Sequence, residues 1–299
     1  MSNREVRANI ILISIAIIWG FAFPIQKQSA DYLSPFSINA IRFFLASITL
    51  IPVILFWIKS GKSANNTFKF SRLELLSGTL TGAVLFLASF LQQLGLETTT
   101  SVKAAFITGL YVVIVPIVGI FMKQKVHISI WLSVLIATVG MYFLSINSDF
   151  TIAPGDLVVF TGAFFWAAHI IVVGIYSVKV DLFKFAFLQF ASASFLSFIA
   201  AFIMESDTFT VFNVQQAIWL LLFLGIISTA LCYTLQIIGQ KDAKPAPAAV
   251  ILSMEALFAT LAGFLILNET LSEREIIGCV LMFSAMMLAQ FKDLKGFRK

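Results

Sequence analysis

A chain of 299 residues with 60% hydrophobic side chains, 32 Phe and 12% charged residues has too little polar surface to coat a soluble globule of its size. Its formal charge of +5 comes from basic residues scattered among short loops, which argues against a nucleic-acid-binding face. Cys232 and Cys279 stand far apart in apolar runs without C-x-x-C spacing or a neighbouring His, so they read as buried small hydrophobes and supply no metal, redox or cofactor site.

Crossing about 30 Å of hydrocarbon takes roughly 20 apolar residues. The chain offers ten such runs, at about 8–27, 35–58, 73–93, 101–122, 127–146, 155–177, 183–204, 216–239, 245–267 and 272–291. The first follows MSNREVR and so resembles a signal peptide, but it extends through Trp19 to Pro24 with no small-x-small cleavage site and reads as an uncleaved span. Turn and helix-stop residues mark the run ends, among them Ser34-Pro35, Gly61, Pro154-Gly155 and Pro245. Within the runs, Gly78 and Gly82 are spaced for close helix approach. Pro116, Pro245 and Pro247 are expected to bend or break their helices.

All but four of the 20 basic residues fall in alternate loops, from Arg4 and Arg7 to Arg298 and Lys299. Lys27, Lys103 and Arg274 fall in the opposite set, and Arg42 alone lies within a run. Because basic residues favour cytoplasmic loops, this pattern predicts an all-α polytopic membrane protein with ten transmembrane helices and both termini cytoplasmic.

The chain also repeats itself. Trp19 in IIWGFAF lies over Trp166 in FFWAAHI at an offset of 147, as does 35–47 over 182–194. Further on, 90–107 lies over 234–251 at an offset of 144, pairing Gln92 with Gln236 and Gly95 with Gly239. Collinear matches of this kind predict two five-helix repeats, 1–147 and 148–299. Since five is odd, the second repeat enters the membrane inverted, the plan of many secondary transporters with a midplane site between the halves.

Ten runs in two halves, Trp19-Gly20-x-x-Phe23 in the first run, Pro116 late in the fourth and the motif Leu267-Asn268-Glu269-Thr270-Leu271 between the last two resemble the drug/metabolite transporter superfamily, specifically its EamA-type ten-helix exporters. The resemblance covers almost the whole chain. It implies that spans 1–4 and 6–9 line a central cavity and that spans 5 and 10 lie at the periphery, in a monomer or homodimer. It also implies export of small organic metabolites across the inner (plasma) membrane.

The residues that carry the chemistry are those out of place in an apolar run. Glu255 lies ten residues after Pro245, about 15 Å deep at 1.5 Å per helical residue. A charge there is expensive and points to a pathway. It reads as a ligand for a substrate ammonium or as a proton-coupling carboxylate, with a structural partner for a buried base as the plainer alternative. Its repeat counterpart is Tyr111, at similar depth. Arg42, roughly 10 Å deep from the other side, reads as a bidentate ligand for a carboxylate or phosphate. The alternatives are a permanent ion pair with Glu255 or snorkelling to the headgroups. Its counterpart is Gln189.

His169, three residues after Trp166, reads either as a proton relay or as a neutral imidazole satisfied by a neighbour. Trp19 and Trp166 fall near the midplane, away from the interfacial belts, and with Phe23 and Tyr111 they form either an aromatic wall for a metabolite or ordinary helix packing.

The expected function is therefore a secondary transporter for amino acids or related amphipathic compounds, with nucleotide sugars or drugs as the alternative substrates. An intramembrane enzyme lacks its nucleophile and base here, since the aspartates sit in loops and the two His have no companion ligands. The sequence contains no Walker motif that would drive an ATP pump. A channel remains the third class.

Overall fold

The computed structural model describes residues 3–61, 67–123, 126–145, 153–205, 207, 209–267 and 273–295. The junction expected at 147/148, Asn268 to Leu271 of the motif, and Arg298 and Lys299 lie outside the described residues. All regular structure among the described residues is helical. Eight helices are long and apolar enough to cross a bilayer: Asn3–Ser29, Pro35–Lys59, Arg72–Leu96, Ser101–Phe121, Pro154–Tyr176, Leu182–Met204, Ile218–Asp242 and Pro245–Ala262. Two shorter apolar helices, Ile128–Phe143 and Ile276–Leu288, fall where the sequence places the fifth and tenth runs. Large apolar side chains stand bare on the outside, with Phe121 83% and Phe202 79% exposed. Such a surface suits lipid and not water.

In chain order the elements are α1 (Asn3–Ser29), α2 (Pro35–Lys59), α3 (Arg72–Leu96), α4 (Ser101–Gly109), α5 (Tyr111–Phe121), α6 (Ile128–Ser145), α7 (Pro154–Tyr176) and α8 (Leu182–Met204). They continue with α9 (Val211–Gln216), α10 (Ile218–Leu222), a π-helix (Phe223–Leu231), α11 (Cys232–Asp242), α12 (Pro245–Leu252), α13 (Glu255–Leu267) and α14 (Glu273–Lys295).

Local chemistry sets the helix starts. Ser71 and Glu74 form a reciprocal capping box on α3, with Ser71 N–H donating to Glu74 Oε2 at 2.6 Å and Glu74 N–H to Ser71 Oγ at 3.2 Å. Asp181 accepts from the amides of Phe183 and Lys184 to open α8. The start of α2 is different, because Ser34 makes no side-chain cap there. Instead Glu205, at the far end of α8, accepts from the amides of Phe36 at 3.0 Å and Ser37 at 2.8 Å.

The helices pack in a reciprocal pattern. α2 lies along α8, α3 along both α7 and α8, and α1 along α11 and α13. α4 packs on α13 and α5 on α12, while α6 and α14 pair with each other. Gly78 and Gly82 permit the α3–α8 approach: a Cβ at Gly78 would lie 2.4 Å from Leu188 Cβ, and one at Gly82 2.5 Å from Gln189 O.

Three helices are irregular in ways the prolines do not explain. The fourth long helix breaks at Leu110, between α4 and α5, six residues ahead of Pro116. The eighth breaks at Ser253–Met254, between α12 and α13, six residues beyond Pro247. Pro245 sits in the first turn of α12, where its missing N–H would have no helical partner in any case, so the bend expected there is absent. At the second break Ser253 Oγ donates to Val250 O at 2.9 Å, a local bond that competes with the helical ladder. The third irregularity is the nine-residue π-helix between α10 and α11, the kind of insertion that gathers at functional sites.

Candidate functional site

The three irregular helices meet around a small cavity of about 30 Å³ at the centre of the bundle, room for a water or two in this closed arrangement. One stripe of α1 enters it. Trp19, Phe23 and Gln26 line the wall at helical spacing i, i+4 and i+7, so all three fall on one face. Trp166 of α7, Tyr111 of α5 and Tyr233 of α11 complete an aromatic lining. Tyr233 is its hub: its ring stacks on Trp166 at 6.2 Å and 5° and leans on Trp19 at 4.9 Å and 50°. The Trp19 indole is fixed by donating from Nε1 to the Ser228 carbonyl at 3.0 Å, inside the π-helix.

Both charged candidates line the same cavity. Glu255 is 4% exposed and accepts a hydrogen bond at Oε1 from the Tyr111 hydroxyl at 3.0 Å. Arg42 is 3% exposed. Its Nε donates to Thr229 Oγ1 of the π-helix and its Nη1 to Gln26 Oε1, both at 3.2 Å, and its guanidinium carbon stands 5.0 Å from the Phe43 ring centroid. Among the described residues no ion pair joins Arg42 to Glu255 or to any other carboxylate. Tyr233 lines the same cavity as both charges. The permanent Arg42–Glu255 pair weighed from the sequence is thus not formed. Snorkelling is not seen either, since the guanidinium is buried and held inward by Gln26 and Thr229.

Amides carry polarity away from Arg42. Gln92 Nε2 donates to the same Gln26 Oε1 at 3.2 Å, and Thr108 Oγ1 donates to Gln92 Oε1 at 3.4 Å. Gln236, the repeat counterpart of Gln92, also faces the cavity, with Nε2 bonded to Gln240 at 2.9 Å and Oε1 without a protein partner. Trp166 Nε1 is likewise buried and unpartnered. The cavity therefore offers a cation, a carboxylate, an indole donor and an amide acceptor between aromatic faces. That set complements a small molecule carrying both charges and an apolar body.

His169 and Gln189 lie one layer behind. Both are fully buried, with His169 Nε2 3.2 Å from Gln189 Oε1, and neither lines the cavity. The imidazole ring meets Trp166 at 6.0 Å and Tyr233 at 5.6 Å, edge-on to both. It backs the aromatic wall.

Sequence reasoning passed over Tyr233, Gln26, Thr108, Ser228 and Thr229. Two of them left a periodic trace: Gln26 extends the Trp19–Phe23 stripe, and Thr108 sits one turn before Tyr111. Thr229 and Ser228 left none, because they reach the site only through the π-helix.

The profile of the EamA-like transporter family matches this chain at residues 6–146 and again at 153–290. An "Uncharacterized transporter" of Archaeoglobus fulgidus is 32% identical over 296 residues, covering 97% of this chain and 87% of that protein. The "Uncharacterized transporter YyaM" of Bacillus subtilis is 24% identical over 298 residues, covering 96% of this chain and 94% of its own. One solved crystal structure, 16% identical, superposes with a TM-score of 0.75 over 96% of this chain and 98% of its own; at that identity the likeness speaks for the fold alone. With both profile matches spanning nearly all the apolar helices, the chain belongs to the EamA-like transporter family and is a multi-pass membrane transporter.

Proposed function

We propose that this protein is a secondary transporter of the plasma membrane that exports small amphipathic metabolites, amino acids or close relatives, by alternating access to the central cavity. The ten-span reading adds the two shorter apolar helices to the eight long ones, with both termini cytoplasmic. The moving bodies are the halves 1–147 and 148–299, a division supported by the two profile matches and by the reciprocal helix packing. In this reading Arg42 takes the substrate's anionic group, Glu255 its ammonium or a proton, and Trp19, Tyr233 and Trp166 its apolar body.

The observation that carries the proposal is that Arg42 and Glu255 are buried in one cavity yet do not pair with each other. A buried cation without a counter-charge is costly, and a zwitterionic guest supplies an anion to Arg42 while its ammonium meets the Glu255 carboxyl. The test is counterflow into proteoliposomes preloaded with single amino acids, nucleotide sugars or cationic drugs. Saturable counterflow of amino acids is the expected result, whereas flux linear in concentration without counterflow marks a channel. In the Glu255→Gln variant, transport with unchanged rate and unchanged pH dependence removes Glu255 from both ligand binding and coupling.

A further inference from the structure

The two broken helices are broken at equivalent places. Leu110 and Met254 are separated by the same offset of 144 that aligns the surrounding repeat, and the residues capping α4 and α12, Leu110 and Ser253, share φ −61° and ψ −12°. Across this crossing, equivalent residues touch. Tyr111 and Glu255, the first residues after each break and 144 positions apart, are hydrogen-bonded at 3.0 Å. A Cβ built on Gly109 would stand 3.8 Å from the Cβ of Ser253, another pair at the same offset. The packing of α4 on α13 and of α5 on α12 is the exchange-related pair of contacts that a two-fold relation requires.

About a two-fold axis, only groups close to the axis can touch their own counterparts. If the two halves swap conformations between the end states, as inverted repeats permit, a contact between counterparts is carried onto itself. A contact between unlike residues is carried to the other end of the bundle. We infer that the crossing of the two breaks, marked by Gly109–Ser253 and Tyr111–Glu255, is the pivot of transport, closed in both end states, and not a gate that opens.

The gates are then the contacts between unlike residues at the two ends. At one end Glu205 of α8 holds the first turn of α2 through Phe36 and Ser37, and Asp156 of α7 accepts from Thr99. At the other, Lys184 Nζ donates to Lys69 O at 3.0 Å and the Asp181 amide to Glu74 Oε1 at 3.4 Å. Lys184 and not Glu205 is the repeat counterpart of Ser37, so the two ends hold different contacts; both sets are formed in this structure, and opening to either side releases those of that end alone.

The inference rests on the transporter reading but is separable from it. The test introduces Gly109→Cys with Ser253→Cys into the full chain, with Cys232 and Cys279 replaced by Ala. The 3.8 Å separation matches the ordinary Cβ spacing of a disulfide. Met141 Sδ, 2.9 Å from the new Cβ, is a flexible chain end that can move aside. Oxidation is expected to cross-link the pair to completion, and the cross-linked protein to keep phenylalanine counterflow within about twofold of its reduced form. A second pair, Ser37→Cys with Glu205→Cys, joined by a short bifunctional thiol reagent, is expected to lose counterflow by about tenfold or more.

A fraction of the 109/253 pair that resists oxidation, or a loss of counterflow on oxidation that dithiothreitol restores, overturns the pivot. Should the cysteine variants be inactive even when reduced, hydrogen exchange on the wild-type chain in nanodiscs decides. Amides at 109–113 and 253–258 are expected to keep their protection when phenylalanine is added while those opening α2 and α8 change, and the reverse pattern overturns the inference. Absence of counterflow in the wild type would instead sink the transport reading, whatever the cross-link shows.

Discussion

Replacing Arg42 by Met separates a binding charge from a structural one by the sign of its effect on stability. Arg42 is 3% exposed, with no carboxylate partner among the described residues and two hydrogen bonds, to Thr229 and Gln26. Each bond from a charged donor contributes about 1.5–3 kcal/mol, and the contact with Phe43 adds about 0.5–1 kcal/mol. Against these stands a desolvation penalty of several kcal/mol for an ion buried without a counter-charge. Met fills the same length of cavity and leaves Gln26 Oε1 still bonded to Gln92, while the buried Thr229 Oγ1 loses its donor, a cost of about 1–3 kcal/mol. By analogy with buried ions exchanged for apolar residues, Arg42→Met is expected to be neutral or to stabilise the substrate-free protein by about 1–4 kcal/mol.

Its effect on an anionic substrate runs the other way. A fully desolvated charge pair contributes about 2–5 kcal/mol, which at 1.4 kcal/mol per decade is a loss of roughly 30- to 4,000-fold in affinity. Thermal unfolding in nanodiscs without substrate, and counterflow or scintillation-proximity binding with it, measure the two effects. Destabilisation by about 3–5 kcal/mol, the signature of a broken buried ion pair, would refute the reasoning, because it would mean that Arg42 is already neutralised within the protein.

Two further outcomes are expected. A Cβ at Gly20 would lie 2.4 Å from Phe258 Cβ and 2.7 Å from the Ala259 backbone nitrogen. Gly20→Ala should therefore lower stability by about 1–3 kcal/mol as α1 and α13 are forced apart, opposite to the gain of 0.5–1 kcal/mol that Ala brings to an unobstructed helix; an unchanged melting temperature refutes this. At the end of α3 outside the membrane span, Glu97 titrates above its ordinary value of 4.5, first because burial disfavours its charge and then because Glu205 repels it, with Lys27 opposing. A carboxyl with a raised folded-state pKa contributes stability that is complete below its unfolded value and is lost as pH rises through the folded one. Wild-type stability should thus fall from this group between about pH 4 and neutrality, and Glu97→Gln should flatten that slope in thermal scans; an identical slope in both proteins refutes it. The effect is modest because the group is largely exposed.

Much of the architecture was legible because a bilayer imposes long apolar runs and short charged loops. Trp19, Trp166, Arg42 and Glu255 stood out as side chains that lipid does not tolerate or that recur at a fixed offset. The way these residues meet was not legible. Arg42 and Glu255 have depths that allow a salt bridge, and only the tertiary arrangement shows Tyr111 bonded to Glu255 while Arg42 is held by Gln26 and Thr229. The prolines gave the wrong places for the breaks, which fall at Leu110 and Ser253–Met254. Proline restricts its own φ and removes one donor, but a break also depends on what packs against the helix.

By itself, then, the sequence determined that this protein is a helical membrane bundle, that its second half echoes its first, and which few polar residues lie deep within it. These follow from composition and spacing, which are local properties. Which face each helix turns inward was decided by the tertiary structure alone. A helix apolar on every side carries no record of its own rotation, because its lipid face and its core face are built from the same residues. The π-helix that delivers Ser228 and Thr229 to Trp19 and Arg42, and the crossing that brings Tyr111 to Glu255 from 144 residues away, exist only once the helices have packed.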